Sequence, residues 1–124
     1  MVYRRDYRRK IASNYGRKAL SLTTSIIILN VALFFIISII SIFYNGLIDN
    51  IAVKPSSVLS GENIWTVLTS ILMHGGFFHL FVNMLSLFFL GGLTEQIIGR
   101  KRFLRLYLFA GIIGSLFFVL FAYL

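Results

Sequence analysis

The chain has 124 residues, of which 58% are hydrophobic and 16% aromatic, while only 13% are charged. Together with a mean hydropathy of +0.87, this composition excludes a soluble globular domain and indicates an integral membrane protein with room for about three spanning helices of roughly 20 residues each. The absence of Cys excludes disulfides, thiolate catalysis and cysteine metal sites.

The N-terminal segment, residues 1–18, is a strongly basic arm. It contains seven Arg and Lys side chains against the single Asp6. Cationic residues beside a span are attracted to anionic lipids and help to set its orientation. We therefore expect a cytoplasmic arm that determines topology and binds anionic lipids, in preference to RNA, and we predict no nucleic-acid partner.

Three long apolar segments follow the arm, each long enough to cross the hydrocarbon core. They predict an all-α polytopic membrane protein whose spans cover residues 19–44, 77–95 and 103–124. We call them span 1, span 2 and span 3. Gly99 lies four residues beyond the second segment and is expected to end its helix.

A polar loop, residues 45–76, separates the first two spans. It contains Pro55 and several serines, which favour turns outside the hydrocarbon. Its later part, from Asn63 to His74, is amphipathic and carries Trp65, a residue that prefers the membrane interface. We predict a short helix lying along the membrane surface there.

The other basic residues suggest how the spans are oriented. Arg100, Lys101, Arg102 and Arg105 lie between spans 2 and 3, whereas the loop contains only Lys54. The positive-inside rule then places the N-terminus and the Gly99 turn in the cytoplasm and the loop outside, for which a prokaryotic plasma membrane is the expected setting. His79 would lie near the outer end of span 2, within reach of water.

Two sets of polar residues could suggest a metal site and a serine nucleophile, but the sequence favours neither. His74, His79 and Asn83 lack the spacing and the carboxylate or Cys partners of a helical zinc site, so no metal and no other cofactor is predicted. Ser115 follows Gly114 but has no general base near it in sequence. With Gly111, it is better explained as a small packing residue that allows close helix approach.

His79 and Asn83 are four residues apart and therefore share one helix face. Two interpretations stay open for them: hydrogen bonds between helices, which are common for His and Asn in spans, or donation to an anionic centre such as an oxyanion. Glu95, near the cytoplasmic end of span 2, is expected to be structural, as an ion pair or as a hydrogen bond that ties helices together.

From Trp65 to Gly111 the chain resembles the rhomboid family of intramembrane serine proteases. His79 and Asn83 match the family's His-x-x-x-Asn element. Further matches follow in the family's order: Gly91, Glu95 and Gly99 as Gly-x-x-x-Glu-x-x-x-Gly, then Arg102-Phe103, Tyr107-Leu108 and Gly111.

The resemblance implies that the three spans are the first half of a six-helix core. It implies a serine nucleophile from a Gly-x-Ser-Gly motif on the fourth helix and a histidine base from the sixth. His79 and Asn83 would stabilise the oxyanion, while Trp65, His74, Glu95 and Gly99 would be structural. Transmembrane protein helices would be the substrates, cleaved near their outer ends.

The chain departs from the family pattern at several positions. Thr66 stands where an arginine is common, and Ala110 where a serine is common. The serine and histidine of the dyad are not among the 124 residues, so this polypeptide alone is predicted to be inactive. Because span 3 runs to Leu124 without a polar tail, we expect a truncated reading frame.

Two hypotheses follow. In the first, the chain is the N-terminal part of a rhomboid-like serine endopeptidase that cleaves transmembrane helices. In the second, it is a non-catalytic rhomboid-like protein that binds transmembrane client helices. A split enzyme completed by another chain and an unrelated small membrane protein are further alternatives, and the oligomeric state is not predicted.

Overall fold

The computed structural model describes residues 20–122, and all regular structure among them is helical. The basic arm predicted for residues 1–18 lies outside the described residues. Three of the described helices are long and apolar enough to cross a membrane: Leu22–Phe43, Phe77–Ile98 and Arg100–Phe121. The prediction of an all-helical protein with three spans is therefore confirmed, with each span 22 residues long.

Span 2 is not a uniform α-helix. Its α-helical parts, Phe77–Ser86 and Gly92–Ile98, flank a π-helical turn at Leu87–Gly91. A π-turn holds more residues than an α-turn, so it rotates the face that the following residues present. The residues after the π-turn therefore present a different face from the one that a continuous α-helix would present.

Gly99 forms the whole connection between spans 2 and 3. It has a φ of +82°, a conformation that L side chains rarely adopt, and its N–H donates to the Glu95 carbonyl at 2.9 Å. Span 3 begins at Arg100, three residues earlier than the sequence predicted, because the chain reverses on this one glycine.

The loop between spans 1 and 2 contains more helix than the sequence indicated. Short helices cover Leu47–Ile51, Pro55–Leu59 and Thr66–Thr69, and the last continues into a 3₁₀ turn at Ser70–Leu72. The predicted surface helix over Asn63 to His74 is thus shorter, and the last two of these helices and the 3₁₀ turn contact span 3. The loop lies against the spans and closes one end of the bundle.

Span 1 packs along both parts of span 2 and its π-turn, whereas span 3 meets span 2 near the Gly99 turn. Few apolar side chains are buried within the described residues: Ile26, Val67, Leu80, Phe103 and Val119. Most large apolar side chains are exposed, as expected for helices that face lipid, and some line the space between the spans.

Candidate active site

A central cavity of about 1170 Å³ lies between the three spans and the loop. Its walls are mostly apolar. Polar side chains from all four parts of the structure also line it: Ser38, Ser41, Ser70, His74, His79, Asn83, Ser86, Tyr107 and Ser115. Polar groups in a membrane bundle face such interiors because lipid cannot satisfy them.

His79 and Asn83 both line this central cavity. Both side chains are exposed, and neither makes a hydrogen bond to another residue in the range 20–122. The first interpretation required hydrogen bonds between helices, and His79 and Asn83 make none to the described helices. Their donor groups are free to meet a group that enters the cavity.

The start of span 2 adds to the attraction for an anion at this end of the cavity. His79 is the third residue of a helix that begins at Phe77, and the first backbone N–H bonded to the preceding turn is that of Leu80, which donates to Gly76 at 3.0 Å. The earlier N–H groups lack a helical acceptor, and the helix dipole is positive there. Negative charge beside His79 is thus favoured.

His74 packs edge-on against His79, with 5.4 Å between the ring centroids. Burial lowers the pKa of His74 below its ordinary value, and the neighbouring imidazole of His79 lowers it further. Its Nδ1 is buried and has no hydrogen-bond partner among residues 20–122. A neutral His74 therefore supports the His79 ring from the loop side.

The loop is fastened to span 3 by small residues. Ser70 and Ser115 hydroxyls lie 2.7 Å apart. One turn earlier, a methyl group added to Gly111 would lie 2.8 Å from the Ile71 side chain. The small face of span 3 thus accommodates the 3₁₀ turn of the loop, where the sequence had suggested a second helix.

Glu95 connects spans 1 and 2. Its Oε1 accepts from the Leu22 N–H at 2.8 Å, and its Oε2 accepts from the Thr23 N–H and hydroxyl, both at 2.7 Å. Backbone N–H groups in the first turn of a helix have no acceptor within that helix, so the carboxylate acts as a cap for span 1 that is supplied by span 2. Of the two roles expected for Glu95, the described residues show the hydrogen-bonded one.

Asn30 links span 1 to span 3. Its side chain is fully buried, and its Nδ2 donates to the Ile26 carbonyl at 2.8 Å and to the Tyr107 hydroxyl at 3.4 Å. Tyr107 also lines the central cavity. This link holds the two spans together on the side of the bundle where they are otherwise in little contact.

Trp65 lies on the outer surface of the loop and is 57% exposed. Its indole N–H donates to the Asn50 carbonyl at 3.3 Å, which ties the loop to its own first helix. The next residue, Thr66, is only 1% exposed, and its hydroxyl donates to the Asn63 carbonyl at 2.7 Å. A compact side chain is thus required where the resemblance would place an arginine.

Sequence reasoning singled out His79, Asn83 and Glu95 but missed several partners. Leu22 and Thr23 give no sign that a carboxylate 73 and 72 residues later, respectively, caps them. Asn30 is an amide within an apolar span, yet nothing in the sequence pointed to Tyr107 as its partner. Such pairings arise only when the spans are packed.

A sequence model of the rhomboid domain matches residues 61–124. Among curated proteins, the chain is similar to "Inactive RHOMBOID-like protein 8" of Arabidopsis thaliana, with 46% identity over 65 residues, which is 52% of this chain and 18% of that protein. It is also similar to "Putative rhomboid protease YdcA" of Bacillus subtilis (strain 168), with 38% identity over 68 residues, or 55% of this chain and 34% of that protein.

A third relative is "Rhomboid protease GluP" of the same bacterium, with 41% identity over 63 residues, or 51% of this chain and 12% of that protein. No solved structure matches the chain significantly. The matched segment spans between an eighth and a third of the length of these relatives. The domain match covers more than half of the 124 residues and includes His79, Asn83 and Glu95. The chain is an integral membrane protein of the rhomboid family.

Proposed function

We propose that the chain forms the oxyanion side of the active site of a rhomboid intramembrane serine protease. The observation that carries this proposal is the position of His79 and Asn83: two exposed donors on one helix face, lining the central cavity without partners in the described part of the chain. An imidazole and a carboxamide each offer an N–H to a developing negative charge.

In this proposal, a serine hydroxyl supplied by the family's later helices attacks a peptide carbonyl of the substrate, and its proton passes to the family's histidine base. The carbonyl oxygen gains negative charge as the tetrahedral intermediate forms, and His79 and Asn83 donate hydrogen bonds to it. The start of span 2 favours the same charge. Preorganised donors of this kind act strongly because they need no reorganisation during the reaction, and removal of one typically lowers the rate by about 10²–10³-fold.

The central cavity supports a further helix of the family's core as its occupant, because it has a volume of about 1170 Å³ and is lined mostly by apolar side chains. The helix that carries the serine would approach His79 and Asn83 from this space.

Substrates in this proposal are transmembrane helices that enter from the bilayer and are cleaved near the outer membrane surface. The basic residues support an orientation with the N-terminus and the Gly99 turn in the cytoplasm, as in a prokaryotic plasma membrane. The loop contains one basic residue, Lys54, which is paired with Asp49 at 2.7 Å.

A second candidate function is the binding of transmembrane client helices without cleavage. It is favoured by the 46% identity to a relative named as inactive. In this case His79 and Asn83 would hydrogen-bond to a client helix in the central cavity, and no nucleophile would be needed.

Expression of the complete gene with a tagged transmembrane reporter separates the two functions. A protease releases a shorter reporter fragment. A photo-crosslinker at Ser86, which lines the same cavity, then captures little uncleaved reporter. A client binder gives the crosslink and no fragment. Absence of both results would contradict both functions.

A further inference from the structure

The outward face of span 3 combines charge and apolar surface in one stripe. Arg102 and Arg105 lie three residues apart in its first two turns, and both are exposed. They open onto a shallow groove of about 640 Å³ whose other lining residues are apolar: Leu106, Leu108, Phe109 and Ile112. Spacings of three and four along a helix place most of these side chains on one face.

The carboxylates in the described range of the chain are engaged elsewhere or distant from these arginines. Asp49 pairs with Lys54, and Glu95 accepts hydrogen bonds from the start of span 1. Glu62 belongs to the loop at the opposite end of span 2, a helix whose 22 residues rise about 33 Å. Within residues 20–122, the two guanidinium groups therefore have no anionic partner.

The dimensions of the stripe match one leaflet of a bilayer. From Arg102 to Ile112 the helix rises about 15 Å, half of the roughly 30 Å hydrocarbon thickness. An anion bound at the arginines thus sits where lipid headgroups lie, and the apolar part of the groove runs the length of an acyl chain toward the bilayer midplane.

From this arrangement we infer that Arg102 and Arg105 form a binding site for an anionic phospholipid, with its acyl chain along Phe109 and Ile112. Two guanidinium groups complement a phosphate, and the apolar groove directly below them distinguishes a lipid from a free phosphate. A neighbouring protein helix would need a carboxylate at the arginines to satisfy the same charges. This site is separate from the central cavity and does not depend on proteolytic activity.

Native mass spectrometry of the full chain in detergent tests the site. The probe is phosphatidylglycerol. Phosphatidylcholine is the comparison lipid without net charge, and inorganic phosphate is the comparison anion without an acyl chain. The test variant is R102Q/R105Q. The matched control is R100Q/K101Q, which removes the same charge from the same end of span 3 but outside the groove. Circular dichroism verifies that both variants keep their helix content.

We expect phosphatidylglycerol to bind more tightly than phosphatidylcholine, and R102Q/R105Q to weaken its binding about 30-fold, the factor expected for two basic side chains near an anionic lipid. The control should lose only about threefold, through long-range charge that salt screens. Equal losses in the two variants, equal affinity for both lipids, or equally tight binding of inorganic phosphate would each overturn the inference.

Discussion

Glu95 caps the beginning of span 1 through Thr23, whose backbone N–H and hydroxyl both donate to the same carboxylate oxygen at 2.7 Å. The two residues are 72 positions apart, and the contact fixes the end of span 2 against the start of span 1. The other end of span 2 carries His79 and Asn83, so this cap helps to set where the candidate oxyanion donors lie in the bundle.

Replacement of Glu95 should therefore destabilise the bundle as a whole. We expect Glu95→Ala to lower the free energy of unfolding by about 2–3 kcal/mol, because hydrogen bonds to a charged group are lost and the N–H groups of Leu22 and Thr23 are left unpaired. Thr94→Ala is the matched control, since the Thr94 hydroxyl donates only within its own helix, to the Leu90 carbonyl at 2.7 Å. Unfolding in mixed detergent measures both, and equal stability of the two variants would refute the cap.

Gly111 and Gly114 offer a matched pair on span 3. A methyl group at Gly111 would lie 2.8 Å from Ile71, whereas one at Gly114 would meet nothing within 4 Å. Because Ile71 is β-branched and stiff, we expect Gly111→Ala to cost about 1–3 kcal/mol and Gly114→Ala to be neutral or slightly stabilising. Thermal unfolding compares them. A larger loss at Gly114 would contradict the packing of the loop on span 3.

The lowered pKa of His74 predicts a defined dependence of stability on pH. The folded chain favours the neutral imidazole, so between the ordinary pKa of about 6.5 and the lowered one, the unfolded chain binds more protons. Stability should therefore be complete above about pH 6.5, fall as the pH falls to the lowered pKa, and change no further through this group below it.

NMR titration of the His74 ring in detergent checks this prediction. His79→Gln removes one of the two causes of the shift, so the pKa of His74 should rise toward its ordinary value without reaching it, since burial remains. No change in His79→Gln would show that the neighbouring ring does not influence His74.

The orientation proposed from the basic residues is directly testable, because the chain has no Cys of its own. Single cysteines in the loop, Ser57→Cys, and in the first turn of span 3, Lys101→Cys, can be labelled with a membrane-impermeant maleimide in intact cells. We expect labelling at residue 57 without permeabilisation and at residue 101 only after it. The reverse labelling pattern would show that the orientation is the opposite of the one proposed.

The sequence predicted the parts of the fold that depend on local pattern. Continuous apolar runs indicated three spans, and the position of Gly99 indicated the end of span 2. The π-turn at Leu87–Gly91 carries no local signal, and it rotates the face of span 2 on which Glu95 lies. For the candidate site, the four-residue spacing placed His79 and Asn83 on one face. Their lack of partners within residues 20–122 and the cavity beside them depend on how the three spans pack.

The central claim is that His79 and Asn83 stabilise an oxyanion. It is tested most directly by the kinetics of cleavage of a transmembrane reporter by the protein expressed from its complete gene. We predict that His79→Ala and Asn83→Ala each lower kcat by about 10²–10³-fold with little change in KM. Ser86→Ala, in the same span and lining the same cavity, should retain nearly full activity. Losses in the first two variants no greater than in Ser86→Ala, or losses confined to KM, would contradict the claim.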